Sequence, residues 1–285
     1  MMRKQLVVGL ASVAITLLAL TAGAVGAQAQ GIEHDGGDTG GNSDVPYVIG
    51  GGDARKGEFP FVASVQNKGK HECTGSLISS GSVLTAYHCV REPMDVANLT
   101  VVVGRNDLND KSSGHVRKVE LIFADDKNDT AVLYLDKSID DIYPVKFPTP
   151  GTDALLRPGS LATLAGWGNI DPHLPHDPSI LQKVQVPLLS QNECAAAWEH
   201  VSGMFTDKNI CAGRAGIGSC YGDSGGPLFK KIGSDFYQIG VVSRGGGTCA
   251  QPGEPGIYAS TSVTSFLEDM EQVYPKPEPV TAADS

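Results

Sequence analysis

The run Gly222-Asp223-Ser224-Gly225-Gly226-Pro227 sets a hydroxyl among glycines that let the backbone bend sharply and turn two N–H groups toward one point. A serine hydroxyl is a poor nucleophile until a neighbouring base removes its proton during attack. An imidazole suits that work near neutral pH, and a buried carboxylate fixes its tautomer and stabilises the imidazolium that forms. Two further runs supply those groups, Leu84-Thr85-Ala86-Tyr87-His88-Cys89 and Asn128-Asp129-Thr130-Ala131-Val132-Leu133. Singly each is weak, since an aspartate after an asparagine is commonly a turn. Together, in the order His88, Asp129, Ser224 with gaps of 41 and 95 residues, they offer the nucleophile, base and orienting carboxylate that acyl transfer to a serine would need. A lipase or esterase would carry the order Ser, Asp, His, which is absent.

Three groups so far apart in sequence need a rigid frame. From Val48 onward, short runs rich in β-branched and apolar residues (residues 61–65, 82–85 and 99–103) alternate with Gly, Asn, Asp and Pro. That texture predicts many antiparallel strands joined by turns, hence an all-β sandwich or barrel. A Pro-punctuated stretch over 143–151 joins two halves. Helices are expected only at 191–201 and 261–273, the second with Ser262 and Thr264 near its start and Pro275 beyond its end.

The N-terminus carries an address. Arg3 and Lys4 precede an uncharged apolar run over 6–26, and Ala27-Gln28-Ala29 offers a small-x-small cleavage site. Residues 1–29 are therefore expected to be a signal peptide, and the protein secreted and extracellular. Residues 30–47, rich in Gly, Asp and Ser, read as a propeptide open to proteases, and the Pro-rich acidic tail 275–285 as disordered. The formal net charge of −10 excludes the basic footprint of a nucleic-acid binder. All six cysteines follow the signal, which in an oxidising compartment implies three disulfides, with 15 possible pairings.

In their order and texture these motifs resemble the trypsin/chymotrypsin family of serine proteases, over residues 48–274. The resemblance implies two six-stranded antiparallel β-barrels (48–150 and 151–274) with a short C-terminal helix. His88 and Asp129 would come from the first barrel and Ser224 from the second. The backbone N–H groups of Gly222 and Ser224 would form the oxyanion hole. The family's pairings would be Cys73–Cys89, Cys194–Cys211 and Cys220–Cys249. Gly166-Trp167-Gly168-Asn169 matches a family landmark, and Ser243 sits where the family places a serine bonded to the triad carboxylate. The family implies no cofactor and no metal; a monomer acting on protein or peptide substrates is expected, with protein protease inhibitors as further partners and no membrane association after signal removal.

Val48-Ile49-Gly50-Gly51 looks like the family's mature N-terminus, whose freed ammonium pairs with the carboxylate before the nucleophile, here Asp223. Breaking such a buried pair costs about 3–5 kcal/mol. Tyr47 replaces the usual basic residue before the cut, so activation calls for a protease that cleaves after aromatics, or for self-activation. His71 falls where some zymogens hold the same carboxylate; the alternative is an ordinary strand histidine.

Six residues before Ser224, where trypsin-like members place an anion, stands Gly218. With Ser219 beside it and Gly245 and Gly256 on the walls, the pocket reads as an open apolar slot for Tyr, Phe, Leu or Met. Elastase-like cleavage after smaller residues is the alternative. Glutamyl specificity is a minor one, since Val242 lacks the imidazole of glutamate-specific relatives. Arg244 replaces the family's Trp; it either favours acidic residues upstream of the cut bond or points to solvent. The run 105–110 lies near the family's calcium loop, but Arg105 stands where a carboxylate ligand begins it, and a solvated turn is expected. His173 and His176 lack a third ligand, and a glycan at the Asn128 sequon would crowd Asp129, unlike one at Asn98. The rival from another class is a protease-like scaffold that binds without cutting, against which the three complete motifs stand.

Overall fold

The computed structural model describes residues 49–91, 93–148, 153–171 and 177–261. The signal and propeptide assignments, Tyr47, Val48, His173, His176, the helix expected from 261 and the tail lie outside the described residues.

The architecture is all-β. Six strands close a first barrel: β2 (Val62–Asn67), β3 (Lys70–Ser79), β4 (Ser82–Thr85), β5 (Leu99–Val103), β6 (His115–Asp125) and β7 (Thr130–Leu135), in the order β2-β3-β4-β7-β6-β5. Closure leaves no edge, so alternate residues such as Val65, Leu77, Leu84, Val101 and Leu133 fill the interior with no exposed flank. The other strands are β1 (Gly52–Asp53), β8 (Leu161–Gly166), β9 (Gln182–Pro187), β10 (Asn209–Ala212), β11 (Pro227–Ile232), β12 (Asp235–Arg244) and β13 (Gly256–Ser260). They form one seven-stranded sheet, β1-β9-β8-β11-β12-β13-β10. That sheet curls until Leu188, just past β9, bridges to Ala212 on β10. The second half thus differs from a plain six-stranded barrel by the added β1, where Gly52 and Asp53 pair with Lys183 and Gln182.

The helix expected at 191–201 runs over α1 (Gln191–Trp198). Ser190 and Glu193 make a reciprocal capping box, each side chain taking the other's backbone N–H, which satisfies two of the donors a helix start leaves open.

Four phenylalanines join the halves. Phe59 and Phe61 lead into the first barrel, while Phe229 and Phe236 belong to β11 and β12. Phe59–Phe229 and Phe61–Phe229 pack edge to face at 5.0 and 5.2 Å between centroids, a favoured geometry for aromatic quadrupoles. Buried Ser76 of β3 donates to Gln238 of β12 at 2.6 Å across the same seam. The cleft between the halves is where the predicted chemical groups meet.

Candidate active site

His88 sits in a single 3-10 turn, Tyr87–Cys89, at the end of β4, and the Cys73–Cys89 disulfide ties that turn to β3. Asp129 ends the turn before β7 in the left-handed region, φ 53°, which Asp tolerates better than most residues. Its carboxylate accepts the His88 backbone N–H at 3.0 Å and the His88 Nδ1–H at 2.9 Å. A carboxylate only accepts, so Nδ1 carries a proton, which in the neutral ring leaves the lone pair on Nε2.

A pairing irregularity in β12 between Val242 and Arg244 re-aims Ser243, whose hydroxyl donates to Asp129 at 2.6 Å. Burial pushes the Asp129 carboxyl upward, but the hydrogen bond and charge of His88, with Ser243, outweigh it and hold the group below its ordinary value. Arg244 leans back on this system, its Nε donating to Ser243 Oγ at 3.3 Å.

Ser224 arrives from the second half. A Cβ on Gly225 would overlap the backbone of Thr74 and Ala86, so only glycine brings the serine this close to the His88 turn. Thr74 N–H donates to Ser224 O at 2.8 Å, fixing the approach. Among the described residues no hydrogen bond joins Ser224 Oγ to His88 Nε2, a contact that commonly tightens only with substrate bound. The N–H groups of Asp223, Gly225 and Gly226 each have a backbone acceptor. Those of Gly222 and Ser224 have none among the described residues, and Gly222 adopts φ 95°.

The Gly222 carbonyl is held from the opposite barrel. Thr74 Oγ1 donates to it at 2.9 Å and His71 Nε2 at 3.1 Å. His71 Nδ1 in turn accepts from Ser64 Oγ at 2.9 Å, and Ser64 Oγ accepts from Gln66. His71 therefore bonds the Gly222 carbonyl, not the Asp223 carboxylate. Burial lowers its imidazole to about 4, with Gly222 pulling the other way.

Asp223 is fully buried. Its carboxylate accepts the N–H groups of Gly168 and Cys220, both at 2.9 Å, and rests where side chains on Gly166 and Gly168 would lie. That is the physical reason for the Gly-Trp-Gly landmark. Burial raises this carboxyl to about 7 against the pull of the two amides. Ile49 is buried, its carbonyl accepting Gly218 N–H at 3.2 Å. Gly50, at φ 81°, is pressed so closely on Gly216 that a side chain would collide with the backbone.

Ser224 opens onto a cavity of about 320 Å³ lined by Gly218, Ser219, Ser243, Arg244, Gly245 and Gly256, all six expected from sequence. A Cβ on Gly218 would meet only Ala250 at 3.6 Å, and one on Gly245 nothing, so floor and wall are open. Two lining residues and one residue behind the lining escaped the sequence reading. Glu254 places its carboxylate against Gly246 on the wall. Tyr221 roofs the mouth by donating to Gly247 O at 2.9 Å. Tyr258 lies under the floor beside Ser219; the strand alternation of β13 from Gly256 was the signal that would have found it.

All three disulfides have the pairings that the resemblance implied. Cys220–Cys249 joins two lining segments of the cavity. Among the described residues Cys73, His88 and Cys89 cluster like metal ligands, but both sulfurs are spent in the disulfide, leaving one donor. Arg105, only 4% exposed, donates to Ser113 O at 2.8 Å and Lys111 O at 3.4 Å inside its own loop, so the loop is closed by a guanidinium. Among the described residues no helix is long and apolar enough to cross a membrane.

Comparison with known proteins shows the family of the chain. The Trypsin family model matches residues 48–268. The chain is 35% identical over 251 residues to a protein of Mus musculus named Tryptase, covering 80% of this chain and 89% of that one. It is also 35% identical over 232 residues to a Trypsin-like protease of Streptomyces glaucescens, covering 78% and 81%.

Proposed function

Because the chain belongs to the trypsin family of serine proteases, we propose that it is a secreted endopeptidase, made as a zymogen and cutting after large apolar side chains. The observation that carries this reading is the ordered chain Ser243–Asp129–His88, which leaves the lone pair of the neutral imidazole on Nε2.

In the proposed reaction Ser224 Oγ attacks the scissile carbonyl as its proton passes to His88 Nε2. The carbonyl π pair moves onto oxygen, which the free N–H groups of Gly222 and Ser224 receive. His88 then delivers the proton to the departing amine, leaving an acyl-enzyme. Water, deprotonated by His88, attacks the ester and releases the acid and Ser224. Asp129, already held anionic, stabilises the imidazolium in both halves.

The open glycine floor supports the apolar preference, since no anion stands at Gly218 and the carboxylate of the lining, Glu254, stands on the wall at Gly246. The wall carboxylate of Glu254 argues against acidic side chains, and the open Gly245 and Gly256 against a slot restricted to small ones. The zymogen reading is supported by Asp223, a fully buried carboxylate with no cation beside it among the described residues. Ile49 docks next to Gly218, so an amine freed at Val48 starts one residue from the docked segment. Tyr47 before it fits the same pocket, which supports self-activation. Export is supported by the apolar leader and three disulfides.

The test is to treat the processed protein with a phosphonylating serine reagent and profile it on a peptide library. Labelling at Ser224, with cleavage after Tyr, Phe, Leu or Met, is expected. No labelling would return the chain to a binding scaffold, and dominant cleavage after Arg or Lys would overturn the pocket reading.

A further inference from the structure

The hydrogen-bond chain Ser243–Asp129–His88 has a further member at its outer end. Across β12 and β13, Val242 pairs with Tyr258 and Arg244 with Ile257, so Ser243 has no partner of its own on β13. Successive side chains of a strand ordinarily leave opposite faces, and one extra residue breaks that alternation. Ser243 and Arg244 thereby meet. Arg244 Nε–H donates to Ser243 Oγ at 3.3 Å, and Ser243 O–H donates to Asp129 at 2.6 Å. A hydroxyl has one proton and two lone pairs, whereas a guanidinium only donates. A cation on its lone pair directs the Ser243 proton toward Asp129 and makes that O–H a stronger donor. Among the described residues no carboxylate lies within ion-pair distance of Arg244, although Glu254 lines the same cavity. The guanidinium charge is therefore not neutralised by a neighbour and acts on Ser243.

We propose that Arg244 is a positioning residue: by pinning the Ser243 proton on Asp129, it holds the carboxylate, and through it the His88 ring, in the orientation that receives the Ser224 proton. This rests on the reading above, in which Ser224 is the nucleophile and His88 its base. Arg244 neither gains nor loses a proton in the reaction. Without it the Ser243 hydroxyl is free to rotate toward water, while the bonds from His88 to Asp129 at 2.9 and 3.0 Å remain. The chemistry should then be slower but not abolished. Arg244 also lines the cavity beside Ser224, so peptide cleavage alone would mix this role with substrate contact.

The experiment follows the rate at which a small dialkyl phosphorofluoridate, which carries no peptide, labels Ser224 in the processed enzyme. Arg244→Met should be labelled about fivefold more slowly than the wild type. The double variant Ser243→Ala/Arg244→Met should be labelled at the rate of Ser243→Ala, because no hydroxyl is left to pin. Equal rates in wild type and Arg244→Met overturn the inference even if peptide cleavage falls, since Arg244 then serves only the substrate. Effects that multiply in the double variant overturn it too, because a general disturbance of β12 would persist without the Ser243 hydroxyl. Should Arg244→Met fail to fold, Arg244→Gln, neutral but polar, takes its place with the same expectation. Wild-type protein that is not labelled at all defeats the nucleophile reading, whereas labelling indifferent to Arg244 defeats this inference alone.

Discussion

Cleavage before Val48 should change how stability depends on pH, and Asp223 sets the size of the change. In the folded chain its carboxyl is raised to about 7 from an ordinary 3.8, because burial outweighs the amides of Cys220 and Gly168. A raised acid favours the fold when protonated, so its contribution is full below pH 3.8 and lost as pH climbs to 7. That loss is on the order of 4 kcal/mol. His71 acts in the opposite sense: lowered to about 4, it contributes above pH 6.5 and loses that contribution as pH falls. Between pH 4 and 6.5 the two nearly offset, so one curve alone says little. The difference between two forms isolates Asp223, because His71 is common to both. Ser224→Ala protein should be prepared unprocessed and with Val48 freed, and both melted from pH 4 to 7.5. If the Val48 ammonium meets Asp223, the advantage of the processed form should widen by about 4 kcal/mol across that range. For a domain of this size the widening is on the order of 10 °C in Tm. A gap that stays constant or narrows with rising pH would refute the pairing.

Ser243→Ala removes the 2.6 Å bond to Asp129 and should lower kcat about tenfold with little change in KM, read by steady-state kinetics. Arg105→Met should lower stability by about 2–3 kcal/mol by opening the loop that its guanidinium closes, while a chelator leaves the wild-type Tm unmoved. Gly168→Ala places a methyl on the Asp223 carboxylate and should destabilise by about 3 kcal/mol or more, measured by urea unfolding, whereas Gly57→Ala meets open space and acts only through its backbone conformation. A chelator-sensitive Tm would falsify the account of Arg105.

Much of this was legible in sequence because the informative groups are local. The serine run, the His88 turn and the Asp129 turn are each short segments whose glycines and polar residues have few other uses. Ser243 was placed by resemblance, and the structure adds its cause, an irregular step in β12 that no local pattern announces. Helix α1 stops at buried Trp198, three residues short of the expected end, since packing and not propensity sets its close. The extra strand β1 depends on pairing Gly52 with Lys183, 131 positions away, and two residues carry no periodicity to read. Glu254 and Tyr258 were overlooked for a similar reason. Their relation to the pocket exists only after the 245–247 loop and β13 fold against each other.

The phenylalanine seam gives the enzyme an unusual failure mode. The proposed base, His88, and the proposed nucleophile, Ser224, belong to different halves, so their separation is a docking coordinate and not a property of either fold. Phe59, Phe61, Phe229 and Phe236 grip that coordinate without touching any reacting atom. Trimming one of them removes core packing from both halves at once, at a cost of about 3–5 kcal/mol. Such a lesion would register both as a weaker protein and as a slower catalyst.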